Sequence, residues 1–232
     1  MVNDLQNLVA KQYGLALHTT TPELGLAISD LTISDLAIGN FASDSRSQVW
    51  NLEREMSSHL HQYLIEFIKP QSFADLAFVA VAKGPGGFTG TRIGVVTART
   101  LGQQLEIPVF AVSTLEAFAW KHLQFTPEEN KAEQIIAVKM PAQRGQIFAG
   151  IYQPRSDGFG LTALLPDTVF TPEAWEEKLT SLNSNYQRIE ASSGLAATVT
   201  NILQLALLEW QQGKRPGWAE ALPYYGMHPV EI

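Results

Sequence analysis

Residues 83–94 read KGPGGFTGTRIG, five glycines in twelve positions, directly after the apolar run AFVAVA at 77–82. A short continuous apolar run suits a strand buried on both faces. Glycine permits positive φ and close backbone approach. Helical spacing follows from about residue 91 to 105. The stretch is a strand–loop–helix unit, the kind from which α/β sheets are assembled. Backbone N–H groups at the start of such a helix favour an anion. The loop lacks the Lys-Ser/Thr ending of a Walker loop and the spacing of a dinucleotide fingerprint. From the residues alone it is either a tight turn whose glycines serve packing, or a loop that meets a ligand or partner.

Upstream, YGLALH at 13–18 and LGLAI at 24–28 flank turn residues around Pro22, which reads as a hairpin. LAIGNFA at 36–42 is expected to be a third strand. Met56, Leu60, Tyr63, Leu64, Phe67 and Ile68 predict an amphipathic helix within 50–69, ended near Pro70. Downstream, 108–112 is a further buried strand, and Ser113-x-x-Glu116 opens a helix with a capping box. Strands are expected at 135–139, 146–152, 161–170 and 188–191. Helices are expected from Thr171-Pro172, with Pro at the first helical position, and over 195–212, stopping at Gly213. The order strands, helix, strand, helix thus occurs twice. Two βββαβα-type lobes are expected, residues 1–112 and 113–232, with the tail from about 213 free to pack back on the first lobe.

The chain has 232 residues, 45% apolar and 17% charged, against about a quarter charged in typical domains. A sparsely charged surface suits a chain that hides part of itself against a partner. Net charge is −7, with seven basic against ten acidic residues up to 112 and nine against thirteen beyond. Neither half carries the basic footprint that a lone nucleic-acid binder needs. No cysteine is present, so disulfides, thiolate metal sites and Cys nucleophiles are excluded. Residues 1–12 lack the pattern of an export signal, and no apolar run reaches the about 18 residues of a membrane span. A cytoplasmic protein without membrane association is expected.

The runs LALHTTT (15–21), AKGPGGFTGTRIGVVTARTLG (82–102) and PVFAVSTLEAFA (108–119) together resemble the TsaB, or YeaZ, family. AQRGQIFAGIY (142–152) is a weaker echo, and Pro223-Tyr224-Tyr225 a last one. The resemblance implies an α/β, actin-like or Hsp70-like fold of two lobes. It implies a part in forming N6-threonylcarbamoyladenosine in tRNA beside the anticodon, as a partner inactive by itself. That partner would support a TsaD-type transferase, be joined by a TsaE-type ATPase, form a homodimer when isolated, and reach tRNA mainly through the transferase. No cofactor is expected on the chain alone, with ATP or ADP at the joint with the partner. The alternative is a self-standing ATP-dependent or hydrolytic, glycoprotease-like enzyme of the same fold.

Three departures from the family pattern bear on that choice. His18 and Pro141 stand where Asp is usual, and Gly87 replaces Ser. In nucleotide-hydrolysing members of this fold a carboxylate at the end of the first strand helps hold the metal, and a neutral imidazole does not replace that charge. His18, Thr19 and Pro141 are thus degenerate nucleotide or metal positions. His59 and His61, two apart on a helix, point about 200° from each other and do not grip one ion. No Gly-x-Ser-x-Gly elbow occurs. Ser113 is explained as a helix cap, Glu53 and Glu55 as acids at a helix start, and Arg144 as a surface turn or a nucleotide or partner contact.

The partner or ligand loop is assigned to Gly84, Pro85, Gly86, Gly87, Phe88, Thr89, Gly90, Arg92, Ile93, Gly94 and Ala98. Gly90, Gly94, Ala98 and Gly102 recur every four residues and form one smooth helical stripe. Each internal glycine costs about 1 kcal/mol against alanine, so close packing is implied. The stripe lies either on the chain's own sheet or against another subunit's helix, and the family resemblance favours the second, with Ile93, Val96 and Leu101 flanking it.

Overall fold

The computed structural model describes residues 12–31, 45–126, 134–182 and 184–226. The first sheet holds β1 (Tyr13–His18), β2 (Glu23–Asp30), β3 (Arg46–Asn51), β4 (Leu76–Ala82) and β5 (Val109–Val112), in the order β3-β2-β1-β4-β5. β1, β2 and β3 form an antiparallel meander, and β4 and β5 join it in parallel. Helices α1 (Met56–Phe67), α2 (Phe88–Leu105) and α3 (Thr114–Leu123) are threaded between and after these strands. The second sheet repeats the plan with β6 (Ile135–Pro141), β7 (Ile147–Pro154), β8 (Leu161–Phe170) and β9 (Tyr186–Glu190), in the order β8-β7-β6-β9. Its helices are α4 (Pro172–Thr180) and α5 (Val199–Gln211). This repeated meander with added parallel strands is the actin-like arrangement.

Among the described residues the strand that pairs with β2 on its outer side is Arg46–Asn51. The stretch at 36–42 lies outside the described residues. The helix expected within 50–69 begins at Met56, because Trp50 and Asn51 are still paired with Leu24 and Glu23 in the sheet.

Period-two alternation distributes the strands' side chains between two layers. Leu15, Leu17, Val79, Val81 and Val109 pack toward α1 and α2. Ala16, Ala27, Phe78, Ala80 and Phe110 point the other way and share a core with Ile136, Val138, Phe148 and Tyr152 of the second sheet. Between the sheets lie α3 and α5. Helix α5 crosses β1, β2, β4 and β5, and α3 crosses β6, β7 and β8. α4 covers the outer face of the second sheet, where Trp175 and Leu179 meet Ile135 and Ile151. The layers therefore run α, β, α, β, α. β4 is buried along its whole length, which is why AFVAVA reads as continuous rather than alternating.

Helix α2 sits on the first sheet through its glycine stripe. A Cβ on Gly94 would come 2.1 Å from Thr19 Oγ1, and one on Gly90 2.1 Å from the Thr19 carbonyl oxygen. Gly102 has the same relation to Val109, and Ala98 is fully buried. Thr19 Oγ1 donates to the Gly90 carbonyl at 2.8 Å. The stripe thus faces this chain's own strand ends, which corrects the expectation that another subunit docks on it. On the face opposite the stripe Arg92, Val96 and Thr100 are left outward.

This packing generates a direct test. Gly94→Leu should overpack the β1–α2 contact and destabilise the fold by about 1–3 kcal/mol or more. Chemical denaturation at two protein concentrations checks it. A loss of stability independent of concentration is expected, whereas a folded variant with unchanged stability would contradict the contact.

Candidate functional site: the interlobe cleft

The glycine loop emerges from β4 and is fastened on both sides. Lys83 N–H donates to Val112 O at 2.9 Å, Thr114 N–H to Gly84 O at 2.9 Å, and Gly87 N–H to Thr20 O at 2.7 Å. Gly84 adopts φ +102°, in the region where glycine is favoured. Gly87 is the N-cap of α2 in extended conformation. The first turn of α2 therefore opens on a cleft of about 1170 Å³ between the lobes.

Gly86, Gly87, Phe88, Thr89, Gly90 and Ile93 line this cleft from the first lobe, together with Thr19. Met140, Pro141 and Phe148 line it from the second. Among the described residues, Glu53 and Arg54 are its charged lining. The structure thus brings the glycine loop, Thr19 and Pro141 to one place. It sends other candidates elsewhere. Gly94 and Ala98 are core, and Arg92 turns to the outer groove between α1 and α2. Gly84 and Pro85 are buried at the base of the loop.

His18 lies beneath the cleft, 0% exposed. Its Nε2 is 3.4 Å from Thr20 Oγ1, which in turn is 3.2 Å from Thr114 Oγ1. Its Nδ1 has no hydrogen-bond partner among the described residues. Burial holds the imidazole far down, at about 3, so it is neutral at physiological pH. A metal-bound nucleotide, which the actin-like fold implies, calls for hard oxygen ligands. A sequestered neutral His18 and a Pro141 without a polar side chain do not fit that group.

A second polar cluster, not anticipated from the sequence, joins the lobes behind the cleft. The Asp167 carboxylate of β8 accepts from Ser113 Oγ at 2.6 Å and from the Tyr152 hydroxyl. Ser113 also caps α3, accepting from the Leu115 and Glu116 amides. Ser113 was recognisable as a cap, but its acidic partner lies 54 residues away and no local pattern marks it. Burial pushes the Glu116 carboxyl up to about 7, opposed by Lys83 and reinforced by Asp167 and Glu209. Burial likewise raises Asp167, against the hydrogen bonds from Ser113 and Tyr152.

Linkage sets the pH dependence. Glu116 is raised from an ordinary value of 4.5, so its contribution is full below that value and is lost as pH rises through about 7. Asp167 acts in the same sense. His18 is depressed from 6.5 to about 3, so its contribution is present above 6.5 and lost as pH falls. The melting temperature should rise as pH falls from about 8 to the ordinary histidine range, then level off while the two effects oppose each other. Glu116→Gln should flatten the first rise and uncover an acid-side fall driven by His18. Melting curves across this range check both slopes. An identical profile in the variant would contradict the assignment.

Residues 56–177, just over half of the chain, match the family model described as TsaD: tRNA N6-adenosine threonylcarbamoyltransferase. The tRNA threonylcarbamoyladenosine biosynthesis protein TsaB of Bacillus subtilis is 40% identical over 105 residues, 45% of this chain and 42% of that protein. The Escherichia coli protein of the same name is 30% identical over 115 residues, 50% of this chain and 47% of its own length. The aligned region thus spans about half or less of these curated relatives. YeaZ from Pseudomonas aeruginosa superposes with a TM-score of 0.67 at 21% identity, covering 92% of this chain and 99% of that one. With the family model, the TsaB relatives and the shared fold in agreement, the chain belongs to the TsaB/YeaZ family.

Proposed function

We propose that this chain is a non-catalytic partner of a TsaD-type transferase in the formation of N6-threonylcarbamoyladenosine in tRNA. The observation that carries the reading is the outer face of α1 and α2. Ile65 and Val96 are 52% and 53% exposed there, beside a groove of about 500 Å³ lined also by His61, Phe73, Ile93 and Leu101. Large apolar side chains left outward beside such a groove mark an interaction surface. The face lies opposite the glycine stripe, so the helix that closes the sheet on one side offers the groove on the other.

The cleft supports the same reading from the chemical side. His18 is neutral and sequestered, and Pro141 brings no donor. Ser113 is engaged by two amides and Asp167, which leaves its hydroxyl committed to structure. These residues favour a supporting role over the self-standing hydrolytic or ATP-dependent alternative. In this reading the α1–α2 face meets the transferase, and a second copy of the chain takes that place in isolation. The TsaE-type ATPase joins the assembled pair. ATP or ADP belongs to the joint rather than to this chain alone. With net charge −7, tRNA is held chiefly by the partner, since phosphate binding rests on basic side chains. No helix among the described residues is long and apolar enough to cross a membrane, and the setting proposed is the cytoplasm.

The test is co-purification with a TsaD-type protein followed by a threonylcarbamoyl-transfer assay with each component omitted in turn. Transfer should require both proteins. Ile65→Glu and Val96→Glu should each abolish capture and transfer, while stability stays within about 0.5 kcal/mol of the parent, as for most exposed substitutions. Full transfer without this chain, or full capture by both variants, would overturn the proposal.

A further inference from the structure

Helix α5 ends at Gln211 and the chain turns at Gly213; residues 214–226 then travel from one lobe to the other and reach the cleft at Tyr225. The route begins at the free edge of the first sheet, where Pro216 O accepts from Val109 N–H at 3.2 Å. Trp218 lies beside α2, with the Arg99 guanidinium 5.7 Å from its ring. Ala221 is buried in the core between the first sheet and its helices. Tyr224 N–H donates to Lys83 O at 2.7 Å, at the base of the glycine loop. The Tyr224 carbonyl oxygen fills the space a Cβ on Gly84 would need, at 2.3 Å.

The second anchor lies on the other lobe. The Tyr224 hydroxyl donates to the backbone carbonyl of Asp167 at 2.7 Å. This is the residue whose carboxylate already gathers Ser113, at the β5–α3 junction, and Tyr152 of β7. Gly226, at φ +65°, rests against Phe148 and Val169 of the second sheet. Between the anchors Tyr225 lays its ring on Phe88, 4.3 Å between centroids, at the first turn of α2 and within the cleft lining. One tyrosine therefore touches both lobes, and its neighbour covers the helix start that the cleft presents.

We propose that residues 214–226 form an interlobe strap that clamps the cleft at one opening angle, anchored on Lys83–Gly84 in the first lobe and on Asp167 in the second. Widening the cleft separates those anchors and breaks the Tyr224–Asp167 bond. Anything that reaches the first turn of α2 displaces the Tyr225 ring. Release of the strap and opening of the cleft are thus one event. Hinged lobe motion of this kind is set by a few residues that absorb the change. This inference is independent of which partner occupies the outer face of α1 and α2.

The chain has no native cysteine, so two introduced thiols take spin labels cleanly. Arg54→Cys and Gln143→Cys place them on opposite walls of the cleft, at exposed positions. With the strap intact, double electron–electron resonance should give one narrow distance distribution. Adding Tyr224→Ala with Tyr225→Ala should broaden it and move it to longer distances, in a protein that retains its circular dichroism spectrum. Should the double variant fail to fold, Tyr224→Phe decides, because it removes only the hydroxyl that reaches Asp167. Broadening in that variant supports the strap. An unchanged narrow distribution in whichever folded variant is measured overturns it.

Discussion

Where Thr19 meets Gly90 and Gly94, backbone and side chain approach more closely than any Cβ on the helix would allow. Three consequences follow from this contact at the end of β1. It lays α2 flat on the first sheet, so that Val95 and Ala98 reach the same core as Leu17 and Val81. It directs the start of α2 into the cleft, because Gly87 is held to Thr20 just beyond the contact. It also turns Arg92, Val96 and Thr100 of α2 outward. The internal glycines reduce helix propensity by about 1 kcal/mol each, and the close approach they permit is what the packing gains.

The cleft and the buried polar cluster lie apart in this chain. The loop, the helix start and the end of β6 converge on the cleft. Yet His18 is turned into the core side of β1, in line with Ala16, and it has no charge to offer. The carboxylates that the lobes do bury together, Asp167 and Glu116, lie at the joint with Tyr152 and Ser113. Asp167 ties β8 to the start of α3 and to β7, and neither carboxylate lines the cleft.

Much of the fold was legible because local patterns and tertiary environment agree. β4 reads as buried and is buried on both faces. The Thr171-Pro172 start and the Gly213 stop fall where capping chemistry places them. The edge strand RSQVWN escaped the reading because it is largely solvent-facing and carries no apolar run. The glycine stripe was correctly recognised as a close contact. Its partner was misjudged, since helix periodicity reports that a face is smooth and not what lies on it. Asp167 escaped notice, and Tyr224 and Tyr225 stood out only as a faint family echo with no role attached, for a related reason. The contacts of Asp167 with Ser113 and of the two tyrosines with Asp167, Lys83 and Phe88 join segments more than 50 residues apart, which no window of sequence contains. Ile65 carried a usable signal, being out of phase with the buried Met56, Leu60 and Leu64.

Helix α2 closes the first sheet with one face, and in the function we propose its other face meets the transferase. Hydrogen exchange of this chain, alone and with a TsaD-type protein, tests it most directly, because exchange reports backbone opening segment by segment. Added protection should concentrate on α1 and α2 and spare β8 and α4. Protection centred on the second lobe, or none on α1 and α2 in a complex that forms, would contradict the account.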